Sequence, residues 1–164
     1  MEIAAATVAA AAAVWLTAGA WLAVTDLRTG LLPTRVIWSA AAAVWVLYAA
    51  ASLIEAEPAG LFGAAVGAAA CGAILAAVHF IHPPSMGFGD VRLSVLNGLL
   101  CGWWGWQAAL AGLMVGFALA LPEALVVIIR QGMRASRPLG PYLVAGAAVV
   151  AAWMVATRGL IPAR

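Results

Sequence analysis

The sequence predicts an all-α membrane protein, a single polytopic bundle of about six transmembrane helices over residues 1–164. Three observations carry that expectation. The chain is 66% hydrophobic and only 9% charged, whereas soluble domains are roughly half apolar and about a quarter charged, and its mean hydropathy is +1.08. The apolar residues fall into blocks of about 20, the length a helix needs to cross a hydrocarbon core about 30 Å thick. At 164 residues, the chain has room for those spans and short connections but not for a separate soluble domain.

The first span runs from Ile3 to Thr25 and ends at Asp26. A cleaved leader is the competing reading, but the segment before it carries Glu2 and no basic residue, and its apolar run is longer than that of a usual signal peptide. A polar elbow follows, Asp26-Leu27-Arg28-Thr29-Gly30-Leu31-Leu32-Pro33-Thr34-Arg35. In it Gly30 permits a turn and Pro33 suits the first turn of a new helix. The second span is expected over Thr34 to Ile54, broken by Glu55, Glu57 and Pro58, and the third over Ala59 to Ile81. His82-Pro83-Pro84-Ser85 stops the third, because proline cannot donate a backbone bond and biases the residue before it away from helix.

A fourth helix, from Asp90 to about Gly102, ends at Trp103-Trp104-Gly105-Trp106. At about 18 to 24 Å it is shorter than the bilayer core. With the Trp cluster at one interface, Asp90 is expected several Å below the other. The fifth span covers Gln107 to Ile129 and the sixth Gly140 to Thr157. Gly63/Gly67, Gly98/Gly102 and Gly112/Gly116 repeat at four residues, a spacing that lets helix backbones approach closely.

All eight basic residues are Arg and are scattered over connections, not gathered in a stripe, which argues against nucleic acid as a partner. The first, third and fifth connections hold Arg28, Arg35, Arg92, Arg130, Arg134 and Arg137, whereas the second holds only glutamates. The positive-inside rule then puts the amino terminus outside and both Asp26 and Asp90 at the cytoplasmic face of the cell membrane. Arg158 and Arg164 fall on the outer side. Cys71 and Cys101 lie in apolar segments without metal spacing and read as small hydrophobes.

Six acidic residues exist in the chain, and two of them, Asp26 and Asp90, sit where a span meets the same membrane face. Either alone reads as an ordinary helix cap. Two carboxylates in a partly dry site cannot both ionise easily and tend to share a proton. One can then activate a water while the other, protonated, polarises a carbonyl, which is aspartic proteolysis and needs no metal or cofactor. Glycines on both sides of Phe88, in Met86-Gly87-Phe88-Gly89-Asp90, suit a backbone that takes φ > 0 and approaches an extended substrate. Asp90 at a helix start also faces the positive end of the helix dipole.

The stretch GFGDVRL at 87–93 resembles the GxGD motif of membrane aspartyl proteases. The basic residue two after the aspartate, Arg92, narrows the resemblance to type IV prepilin peptidases. The elbow DLRTGLLPT is similar to that family's first-aspartate motif, an Asp followed several residues on by Ile-Pro-Asn. Leu139-Gly140-Pro141-Tyr142-Leu143 resembles its Phe-Gly-Pro-Phe-Leu stretch.

The resemblance implies that Asp26 and Asp90 are the catalytic pair, supported by Pro33, Gly87, Phe88, Gly89, Arg92, Gly140 and Pro141. It implies as substrate the basic leader of a pilin-like precursor, cut at the cytoplasmic surface. Thr34 stands for the family's Asn, Leu32 for Ile and Arg92 for Lys. Larger members carry an amino-terminal part with paired cysteines and methylate the new amino terminus. This chain lacks that part, so a peptidase without methyltransferase activity is expected, similar to the short forms of Flp/Tad-type pilus systems. Two rival readings of the same acids are a small transporter or channel binding a proton or cation and a non-catalytic pilus-assembly subunit.

Among the remaining polar residues, His79 and His82 read as interfacial packing, since no further metal ligands are in reach. Glu123 is expected to form an ion pair with Arg130 or a loop Arg. Asn97 and Gln107 are expected to hydrogen-bond between helices. The arginines at 130, 134 and 137 read as topology determinants, and Trp15, Trp21, Trp38, Trp45 and Trp153 as packing or interface residues.

Overall fold

The computed structural model describes residues 2–81, 86–131 and 138–161. His82, Pro83, Pro84, Ser85, Arg134, Arg137 and Arg164, used in the sequence reading, lie outside the described residues. The described chain forms six α-helices: α1 (Glu2–Thr29), α2 (Thr34–Glu55), α3 (Ala59–Ile81), α4 (Phe88–Gly102), α5 (Trp106–Gln131) and α6 (Gly140–Arg158). All but α4 are long and apolar enough to cross a bilayer.

The helix ends follow the local chemistry. α1 closes on Gly30, which takes φ +63° and donates its N–H to the Asp26 carbonyl at 2.8 Å. At the end of α2 the Glu57 N–H reaches the Ser52 carbonyl and the Ala56 N–H that of Leu53, the double bond of a Schellman turn. Ala56 fills its left-handed position at φ 55°, where glycine is usual, and Pro58 prevents continuation. Pro33 sits one residue before α2, as its N-cap, in extended geometry. α4 starts at Phe88, two residues earlier than expected, so that Asp90 lies in its first turn.

α4 is the hub. It touches each of the other five helices, and eleven of its 15 residues are buried. Small residues make that density possible. A Cβ on Gly98 would stand 2.5 Å from the Gly67 carbonyl oxygen, and one on Gly102 2.6 Å from that of Gly63. The α5–α6 seam is as close, with a Cβ on Gly146 falling 2.3 Å from the Gly116 nitrogen. The paired glycines thus act as the spacing predicts, by letting backbones touch.

Several polar groups inside the bundle are satisfied across helices, as a hydrocarbon surrounding favours, whereas Ser52 Oγ and Asp90 Oδ1 are buried without a partner among the described residues. Trp15 Nε1 donates to Asn97 Oδ1 at 3.0 Å, and the Tyr48 hydroxyl donates to the Leu100 carbonyl at 3.1 Å. Cys71 and Cys101 are free and buried, each with its thiol on a carbonyl of a facing helix. Gln107, expected between helices beside Asn97, is exposed at the start of α5.

The Trp cluster departs from expectation. Trp103 and Trp104 are buried, and their indole N–H groups donate to the carbonyls of Leu160 and Gly159, each at 2.9 Å. Trp103 also stacks on Tyr48 with ring centroids 4.5 Å apart. The physical reason is that α4 stops short of the outer helices, so the chain after it turns inside the bundle and these rings plug the space below the last turn of α6. Trp106 alone of the three is half-exposed.

Candidate functional site

Asp26 and Asp90 lie at the same end of the bundle. Asp26 is in the last turn of α1 and Asp90 in the first turn of α4. Both are buried, at 5% and 8% exposure, and they are near enough for their charges to interact. Asp26 lies 64 residues before Asp90 and 114 before Gly140, yet the three segments singled out in the sequence meet here.

The α6 start grips Asp26. The Gly140 N–H, one of the amides that a helix N-terminus leaves without an intrahelical partner, donates to Asp26 Oδ2 at 3.0 Å. A Cβ on Gly140 would stand only 2.6 Å from the same oxygen, so glycine is the residue that lets the carboxylate seat there. Pro141 follows inside the first turn of α6, where its missing N–H costs nothing.

The glycine turn before α4 grips Asp90. Gly87 is the N-cap, and its backbone N–H donates to the Asp90 carboxylate while its carbonyl accepts from the Asp90 N–H at 3.1 Å. This is one half of a capping box, with the acid at the third helical position reaching back to the N-cap amide, since glycine has no side chain to supply the other half. Asp90 Oδ1 is buried and has no hydrogen-bond partner among the described residues. Each acid therefore faces the positive end of a helix, Asp90 that of α4 and Asp26 that of α6.

The motif glycines act through space, not through unusual backbone angles. The expectation of φ > 0 around Phe88 is not met: Gly87 is extended at φ −71° and Gly89 is helical, and among the described residues the glycines with positive φ are Gly30, Gly105 and Gly159. Gly89 is needed for contact instead. A Cβ there would lie 2.9 Å from Leu32 Cβ, so its absence lets the elbow after Asp26 pack against the first turn of α4.

Arg92 completes that junction. Its guanidinium lies over the Phe88 ring, with Cζ 4.7 Å from the centroid, and Nη1 donates to Thr34 Oγ1 at 2.6 Å. It thereby ties the glycine turn to the residue after Pro33. The His79 ring lies 5.4 Å from that of Phe88, centroid to centroid, and its Nδ1 is 2.9 Å from the Met86 carbonyl oxygen.

Two contacts exceed what the sequence reading expected. His79, read as packing, hydrogen-bonds the loop that carries Asp90; its place two residues before the end of α3, next to a turn rich in carbonyls, was the available signal. Glu123, expected to pair with an arginine, accepts a hydrogen bond from the Tyr142 hydroxyl. The signal there was a second polar residue one turn into α6, at the same end as Glu123. Among the described residues no group of three His, Cys, Asp or Glu side chains could hold a metal ion.

Chemically, the site is a pair of buried carboxylates at one end of the bundle, each held by one backbone amide, with Asp90 Oδ1 unpartnered among the described residues. No protein-family model, curated protein or solved structure matches the chain.

Proposed function

We propose that the chain is a membrane aspartic endopeptidase that removes the basic leader from type IV prepilin-like precursors of the Flp/Tad type. The observation that carries the reading is the convergence of Asp26 and Asp90, buried and interacting at one end of the bundle. The three segments of the resemblance meet around them: Gly140 on Asp26, Gly89 on Leu32 and Arg92 on Thr34.

In the mechanism, the ionised aspartate takes a proton from a water held between the two carboxylates, and the water oxygen attacks the scissile carbonyl carbon. The protonated aspartate gives its proton to the carbonyl oxygen, forming a tetrahedral diol. Collapse breaks the C–N bond, and a proton passes to the leaving amine. Asp90 Oδ1 is suited to hold that water, because Gly87 occupies the carboxylate from the other side. Such chemistry asks no metal of the protein.

The acids are assigned to the cytoplasmic face, with the amino terminus outside. Arg28, Arg35, Arg92 and Arg130 lie at the acid end of the bundle, whereas Glu55, Glu57 and a single arginine, Arg158, lie at the opposite end, an excess of arginine that supports this orientation.

The test is to co-express the chain with a leader-bearing pilin precursor and compare Asp26→Asn and Asp90→Asn with the unaltered protein. Both substitutions should abolish leader removal while abundance stays the same. Cleavage that survives either one rejects the two-carboxylate mechanism.

A further inference from the structure

Asp90 is held by an amide whose other face is itself held. The Met86 carbonyl and the Gly87 N–H belong to one planar peptide group. A carbonyl oxygen can only accept, so the His79 contact at 2.9 Å has Nδ1–H donating to Met86 O. The opposite side of the same peptide faces Asp90, whose Oδ2 lies against Gly87 at 3.6 Å from the position of a Gly87 Cβ. The Asp90 backbone N–H closes the turn on the Gly87 carbonyl at 3.1 Å.

We propose that His79 is a positioning residue for Asp90, acting through the single peptide group that joins Met86 to Gly87. Its ring fixes the plane of that peptide, and the plane fixes where the Gly87 N–H points. Donation to the carbonyl also polarises the amide, so that the N–H becomes a better donor to the carboxylate. Met86 and Gly87 precede the first turn of α4 and lack its hydrogen-bond ladder, and among the described residues the His79 imidazole is the α3 group that hydrogen-bonds this peptide.

The Phe88 ring packs against the imidazole at 5.4 Å between centroids and is itself in contact with the Arg92 guanidinium. The chain of contacts therefore runs from α3 through the turn to the acid. The contacts of His79 are with the Met86 carbonyl and the rings of Phe80 and Phe88, so its role is to position Asp90 through the turn.

The experiment uses the full chain in lipid nanodiscs. Met86–Gly87 is the only Met–Gly step in the sequence, so labelling Met with carbonyl 13C and Gly with 15N yields one amide signal, that of Gly87. His79→Leu, which keeps bulk but removes the donor, should shift this signal and raise its solvent exchange by about tenfold, the effect of losing one hydrogen bond. His79→Asn, whose side-chain nitrogen sits where Nδ1 does, should restore both. Asp90→Asn should move the same signal.

The kinetic arm rests on the proteolytic reading. In precursor cleavage, His79→Leu should lower kcat by about five- to tenfold with KM changed less than about twofold, and His79→Asn should recover most of the rate. A Gly87 signal that is unmoved by His79→Leu or by Asp90→Asn overturns the inference, whatever the cleavage result. A normal kcat in His79→Leu overturns it as well. A protein that cuts no precursor while the amide responds as expected overturns the proposed function and leaves the coupling standing.

Discussion

Gly140→Ala tests the seat of Asp26 most directly. The added methyl carbon would stand 2.6 Å from Asp26 Oδ2, 3.1 Å from its Cγ and 3.4 Å from its Cβ. Ordinary contact begins at 3.4 Å, so the carboxylate must move by about 0.8 Å, a displacement of the size that costs about 100-fold in rate when it misplaces a reacting group. The motion also breaks the bond from the Gly140 N–H. Stability should fall, but by less than in the Gly146→Ala control. The lost charge-assisted hydrogen bond costs about 1.5–3 kcal/mol, offset in part by the gain of up to about 1 kcal/mol when alanine replaces glycine in a helix.

The matched control is Gly146→Ala, six residues on in the same helix. There the methyl meets the Gly116 nitrogen at 2.3 Å and the Gly112 oxygen at 2.5 Å, both backbone atoms that cannot swing aside. α5 and α6 must part, at a cost of about 1–3 kcal/mol or more. Precursor cleavage and unfolding in mixed micelles, measured on both variants, should therefore dissociate: Gly140→Ala loses rate and keeps the fold, whereas Gly146→Ala loses the fold. Gly140→Ala cleaving at the normal rate, or unfolding as readily as Gly146→Ala, would refute the argument.

Gly98→Ala should lower stability in the same unfolding assay by about 1–3 kcal/mol, since its methyl would press on the Gly67 carbonyl at the α3–α4 seam. Trp15→Phe leaves Asn97 Oδ1 buried without its donor, an expected loss of about 1–3 kcal/mol that adding Asn97→Leu should largely recover. Arg92→Gln removes the cation over Phe88, worth about 0.5–1 kcal/mol. It should slow cleavage by about threefold, and Arg92→Lys should restore most of the loss.

The helix bounds were legible because spans of this kind are delimited by residues that cannot continue them. Ala59–Ile81 is found as expected, and the other helices differ by at most a few terminal residues, where Pro58, Gly30 and the glycine turn act locally. The meeting of Asp26 with Asp90 was legible too, since an even number of crossings returns both to one end.

What depended on side-chain environment was not legible. The indoles of Trp103 and Trp104 suit an interface and an internal carbonyl equally well, and only the short reach of α4 decides between them. Gly89 looks the same in a sequence whether it serves a positive φ or a neighbour such as Leu32. Tyr142 and Glu123 lie on different helices, and the one hint that they meet is that both are polar and sit toward the same end of the bundle.

The hub position of α4 bears on how the protein is built into a membrane. With Asp90, Arg92, Ser94 and Asn97 in its 15 residues, this segment is too short and too polar to partition into lipid by itself. It has to be carried in by a companion, and α3, whose Gly63 and Gly67 already match Gly102 and Gly98, is the escort emerging just ahead of it from the ribosome. The pair then enters as one hairpin, leaving α5 and α6 to close the wall afterwards, so the most water-loving part of the chain is never alone among acyl tails.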